Sequence, residues 1–195
     1  HPYFSLFTDT SVYYLTRRTA ANQRISEIQN NLLNPPAKEP YYISTVRQLS
    51  TNGFFDGRYL TVGTDEVYKS LYDEGEGFAN AQFFGSINGP GQVSTQTYTL
   101  STPDIVTSGP AAVFRSVYAT NSNEGHNVNI NFNNNNIHFF SGSKFNLIRV
   151  EQNIALSQLN NGSNTVQYST VDNAASFRQN VVYMNEVSYP RDFNF

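Results

Sequence analysis

Val128, Ile130 and Phe132 alternate with Asn127, Asn129, Asn131 and Asn133, and after four consecutive asparagines Ile137 and Phe139 resume the alternation. A period of two with a polar break predicts an antiparallel hairpin over 121–140, with one apolar face and one amide face. Pairing Phe132 with Ile137 across a four-residue loop sets Ile130 opposite Phe139 and Val128 opposite Ser141. The other face then carries Asn131 beside His138 and Asn129 beside Phe140, because a strand alternates its side chains between two faces.

The same period recurs along the chain. Segments 3–8, 11–16, 41–46, 58–62, 78–87, 92–100, 111–120, 144–152, 164–171 and 179–187 are rich in Val, Thr, Tyr and Phe and read as strands. Turn dipeptides separate several of them, among them Asn52-Gly53, Asp56-Gly57 and Asn88-Gly89-Pro90-Gly91. Two stretches depart from this habit. Ala21, Ile25, Ile28 and Leu32 fall on one face of an amphipathic helix over 20–33, with Thr19 as its N-cap and Asn34-Pro35-Pro36 as its stop. A short helical turn is expected near 65–73, where Val67 and Leu71 lie one turn apart before Gly75 and Gly77. No linker or repeat divides the chain. The expected fold is therefore all-β, a mainly antiparallel sandwich, jelly roll or barrel in a single domain over 1–195.

Composition alters this picture in one respect, the character of the surface. Charged residues make up only 14% of the 195 residues, against a typical quarter, while aromatic residues reach 14%. Neutral amides and hydroxyls fill the polar positions, including both faces of 92–100. The net charge of −3 and the absence of a basic block argue against nucleic acid as a partner. There is no cysteine, so no disulfide, cysteine-bound zinc or thiol nucleophile is available. No apolar run is long enough for a membrane span. Low charge and a start at His1-Pro2 without methionine lead us to expect a processed protein that is secreted or lies at an extracellular surface.

Candidate chemistry is sparse. Asn129, Asn131, His138 and Phe140 form a candidate binding face, since amides both donate to and accept from sugar hydroxyls and an aromatic ring supplies a stacking surface. Asp73, Glu74 and Glu76 on a glycine-rich segment are candidate ligands for calcium, although they lack EF-hand spacing, and otherwise no cofactor is expected. No Gly-x-Ser-x-Gly elbow and no phosphate-binding glycine loop occur, so catalysis is the less expected role. Asn161-Gly162-Ser163 is a sequon for N-glycosylation.

Two short resemblances extend the list. His1 at the start of the chain resembles the copper-binding terminal histidine of polysaccharide monooxygenases, which implies a copper oxygenase with His126 or His138 as the second ligand. Ser108-Gly109-Pro110, followed by Phe114-Arg115 and Tyr118-Ala119, resembles the glycine-rich turn and strand of plant dirigent and allene oxide cyclase barrels. That likeness implies an eight-stranded barrel with an internal pocket.

The first functional expectation is a self-assembling β-rich subunit of a coat, filament or surface layer. Its aromatic-rich ends, 1–8 and 187–195, would dock on the same domain or add a strand to a neighbouring subunit. The alternative is a lectin-like, carbohydrate-binding module with a glycan as partner, and the copper oxygenase is the second alternative.

Overall fold

The computed structural model describes residues 37–51, 53–54, 58–60, 66–68, 78–79, 83–84, 94–120, 125–143, 146–170 and 179–193. In chain order the strands are β1 (Tyr42–Leu49), β2 (Gly53–Phe54), β3 (Arg58–Leu60), β4 (Glu66–Tyr68), β5 (Phe78–Ala79), β6 (Phe83–Phe84) and β7 (Thr95–Thr102). They continue with β8 (Ala112–Thr120), β9 (Gly125–Phe132), β10 (Asn135–Ser143), β11 (Asn146–Ile154), β12 (Gly162–Thr170) and β13 (Gln179–Arg191). One sheet has the order β1-β13-β8-β11, with β6 added against β13, and the second has the order β10-β9-β12-β7. All pairings in both are antiparallel. From β7 onward every connection except the β9–β10 hairpin crosses from one sheet to the other. The result is an all-β sandwich.

The two sheets meet through the inward positions of their alternating strands. Phe114 and Tyr118 of β8 face Val128, Ile130 and Phe132 of β9 and Val166 and Tyr168 of β12, and all of these are fully buried. Phe114 meets Phe132 edge-on with centroids 6.0 Å apart, and Tyr98 meets Tyr168 edge-on at 5.7 Å. Such tilted pairs suit the charge distribution of aromatic rings, so each contributes beyond its buried area. A polar chain runs through the middle of this core. The Tyr168 hydroxyl donates to Asn185 Oδ1 at 2.5 Å and accepts from Ser116, and Asn185 Nδ2 donates to Gln48 Oε1 at 3.2 Å. Each group of this polar chain thereby keeps a partner, as burial in a low dielectric demands.

Several expectations need correction. The segment expected as a helical turn near 65–73 begins instead as strand β4, in which Val67 pairs with Tyr59 of β3. Branched Val67 and aromatic Tyr68 favour the extended backbone that this pairing satisfies. The helix expected over 20–33 lies outside the described residues. The barrel implied by the 108–119 resemblance is not formed, because β10 and β7 end one sheet while β1 and β11 end the other. Gly109 has a local role instead: a Cβ there would lie 2.5 Å from Pro190 of β13. Of the C-terminal segment 187–195, Val187–Arg191 pair with β1 in the same sheet. Residues 1–8 lie outside the described residues.

The hairpin also differs from its expected register. Asn133 and Asn134 both have left-handed backbone, with φ of 46° and 67°, and close a two-residue turn with Asn135 opposite Phe132. Asparagine tolerates this conformation, and type I′ turns require it at both central positions. A β-bulge between Asn136 and His138 then leaves Ile137 unpaired and sets His138 opposite Ile130 and Phe140 opposite Val128. One extra residue exchanges the two faces of a strand. His138 and Phe140 therefore turn inward, and Phe139 turns outward with 54% of its surface exposed. Gly142 makes room for this arrangement: a Cβ there would lie 2.4 Å from the Phe140 ring.

Candidate functional site

The outer faces of the two sheets differ in kind. On the sheet containing β13, one row of paired residues runs Arg47, Glu186, Arg115, Glu151 across four strands. Arg47 Nε donates to Glu186 Oε2 at 2.6 Å, and Arg115 bonds both Glu186 Oε1 at 3.4 Å and Glu151 Oε2 at 2.8 Å. Glu186 is buried between its two arginines. Beside this row Val181, Tyr183 and Ala119 form a small apolar cluster covered by Ala79 of β5. This face is charged at one end and capped at the other.

The opposite outer face belongs to β10, β9, β12 and β7 and carries no ionisable side chain among the described residues. Its rows follow from the register. Asn136, Asn131, Gln167 and Thr97 form one, and Phe139, Asn129, Ser169 and Thr95 form the next. Asn127 and Ser141 extend it on one side, Thr165 and Thr99 on the other. Thr95, Thr97, Thr99, Thr165, Asn136, Phe139 and Ser141 are exposed, and Asn129, Asn131 and Gln167 are half-buried. Phe139 and Ile43 are the exposed large hydrophobic residues among those described, and only Phe139 lies on this face.

The amides on it are oriented by one another. Asn136 Nδ2 donates to Asn129 Oδ1 at 3.1 Å and to Asn131 Oδ1 at 3.3 Å. Each of these oxygens is thereby engaged, while the Nδ2 groups of Asn129 and Asn131 remain hydrogen-bond donors by chemistry. Asn133 at the turn is also anchored: it donates to Gln158 O at 2.8 Å and Asn164 Oδ1 at 2.7 Å, and its Oδ1 accepts from Thr165 N at 2.9 Å. The result is an array of uncharged hydrogen-bonding groups with one aromatic ring at its β10 edge.

Sequence-selected residues thus divide. Asn129 and Asn131 share this face, whereas His138 and Phe140 line the interior. Missed by the sequence reading were Phe139, Asn136 and Gln167. Gly142 is the sequence signal that points to Phe140 lying inward and hence to Phe139 lying outward. Asp73, Glu74 and Glu76 lie outside the described residues, and among those described no group of three metal-binding side chains occurs. His1 is likewise outside them. His126 is fully buried with Nδ1 3.0 Å from Asn180 Oδ1. No helix of the described residues is long and apolar enough to cross a membrane.

His138 meets Tyr118 edge-on at 6.4 Å, as does Phe140, and neither His138 Nε2 nor the Tyr118 hydroxyl has a hydrogen-bond partner. Burial holds the His138 imidazole below its ordinary range and pushes the Tyr118 phenol up. An imidazole whose folded pKa is lowered takes up its proton first in the unfolded chain. The associated penalty is absent above about pH 6.5 and grows as pH falls below that value. Thermal melts should therefore show wild type losing stability from pH 7 to pH 5 more steeply than His138→Gln. Parallel curves would show that His138 is not desolvated.

No family model matches the chain, and no curated protein matches it. Solved structures do. Dimeric latent PorU from Porphyromonas gingivalis superposes on 88% of this chain with a TM-score of 0.54 and 11% identity, and the match spans 15% of the PorU chain. The CBM36-1 domain of a multidomain xylanase from the hindgut metagenome of Trinervitermes trinervoides matches 74% of this chain and 96% of its own, with a TM-score of 0.39 and 11% identity. A carbohydrate-binding module CBM36 in complex with calcium and xylotriose matches 56% of this chain and 91% of its own, with a TM-score of 0.35 and 10% identity. At these identities the PorU likeness shows a shared fold alone, and the two looser superpositions carry no weight for function.

Proposed function

We propose that this protein is a non-catalytic carbohydrate-binding module acting outside the cell, and that it binds glycan on the outer face of β10, β9, β12 and β7. The observation that supports this reading is the three-strand, uncharged array of Asn129, Asn131, Asn136 and Gln167 beside exposed Phe139. Sugar hydroxyls need donors and acceptors together, which amides provide, and the C–H face of a sugar ring packs on an aromatic ring. Self-assembly, the first expectation from sequence, is less well served by this face. It is polar rather than apolar, and the bulge in edge strand β10 interrupts regular pairing with another chain.

Affinity electrophoresis through gels containing soluble polysaccharides tests the proposal. Wild type should be retarded by at least one polysaccharide. Phe139→Ala should weaken retention roughly 5- to 10-fold, the equivalent of about 1–1.5 kcal/mol of ring contact. Asn129→Ala combined with Asn131→Ala should weaken it further, since each lost hydrogen bond contributes about 1 kcal/mol. Retention should be equal with calcium and with EDTA, because the face contains no carboxylate. Retention unchanged in both variants would place the binding surface elsewhere.

A further inference from the structure

Resting on the glycan-binding reading, we infer that the ligand is an uncharged, extended polysaccharide lying across the strands, and that Asn136 is the positioning residue that sets the donors for it. Every side chain in the two central rows is an amide, a hydroxyl or Phe139, so nothing there complements a uronate or sulfate. The charged row Arg47, Glu186, Arg115, Glu151 lies on the opposite side of the sandwich and its carboxylates and guanidiniums are engaged with one another. An anionic chain would meet no counter-charge on the amide face, whereas a neutral one loses nothing there by shedding its water onto donors and acceptors.

The geometry also bears on ligand length. Asn136, Asn131, Gln167 and Thr97 span all four strands, a width of about 14 Å at the usual strand spacing. That exceeds one sugar ring, and Phe139 sits at one end of the adjacent row, where a terminal ring can stack while its neighbours reach the amides. Asn136 acts through Asn129 and Asn131. Its single Nδ2 group engages both of their oxygens and so fixes how the two amides are turned. Asn136 is exposed, so its replacement should leave the fold intact.

The test uses the full chain and three probes: a soluble mannan, a soluble mixed-linkage β-glucan and polygalacturonate, each at low and high salt. Retention by a neutral polymer that does not change with salt is the expected result. Retention by polygalacturonate alone, weakened by salt, would overturn the neutral class while leaving glycan binding standing. Retention by none of the three neutral or acidic polymers would count against the glycan-binding reading itself. With the retained polymer, Asn136→Ala should lower affinity roughly 5- to 10-fold at an unchanged melting temperature. Asn136→Asp should lower it more, since a carboxylate repels the two oxygens that the amide holds. If both variants bind as wild type does, Asn136 positions nothing.

Discussion

Replacing Tyr168 by alanine should cost about 4–5 kcal/mol of stability, the largest single loss expected from a substitution in this protein. The ring is fully buried and touches three others: Tyr98 at 5.7 Å, Tyr118 at 5.7 Å and Phe83 at 6.1 Å between centroids. Its removal opens a cavity between the sheets and also strands Ser116 and Asn185, whose side chains it joins. Against a usual total of about 5–15 kcal/mol, that leaves little margin. For a chain of this size it corresponds to a fall in Tm of roughly 10–15 °C. Tyr168→Phe separates the two contributions, because it keeps the ring and deletes the hydroxyl. It should cost about 1–3 kcal/mol in urea unfolding, the penalty for buried partners left unmade. A Tyr168→Phe protein as stable as wild type would mean that the Ser116–Tyr168–Asn185 chain contributes nothing.

Asn164→Ala should be the second most damaging change, at about 3 kcal/mol. Asn164 is fully buried at the start of β12 and ties the 155–162 connection to the hairpin turn. Its Oδ1 accepts from Asn133 Nδ2 and Asn160 N, each at 2.7 Å. Its Nδ2 donates to Thr102 Oγ1 at 2.8 Å and to the carbonyls of Asn160 and Gly162, each at 3.0 Å. No small apolar side chain can replace these bonds, and fully buried Thr102 loses a donor that water does not replace. The change also frees Asn133, which holds the Thr165 amide, so hydrogen exchange at Thr165 should accelerate along with the global loss. A cost below about 1 kcal/mol would show that the connection finds other partners.

These two predictions fall on residues whose importance the sequence conceals. Strand period was legible: Val128, Ile130 and Phe132 turn inward as their alternation requires, and Asn129 and Asn131 turn outward. The neutral polar habit of the chain was legible too, and it proves to be concentrated on one sheet face. A bulge is not written in periodicity, since it adds one residue and the alternation merely resumes out of phase. For that reason Phe139, apolar and in phase with Ile137, reads as core, while His138 and Phe140 read as surface. Only Gly142, with the Phe140 ring lying over it, hints at the exchange. The asparagines mislead in another way. Asn133 and Asn164 look like the same filler as Asn129 and Asn131, yet one supports a left-handed turn and the other fills a buried network. Composition cannot distinguish an amide facing water from one replacing it.

Glycan binding on the amide face is tested most directly by amide chemical-shift mapping during titration with a neutral oligosaccharide from the polymer that retains the protein. Shifts should concentrate at Asn129, Asn131, Asn136, Phe139 and Gln167, with the side-chain Nδ2 resonances of Asn129 and Asn131 moving furthest. Residues of the opposite outer face, such as Arg115 and Glu151, should stay in place. Shifts confined to that charged face or to the strand connections, with the β9 and β10 asparagines unmoved, would contradict the account.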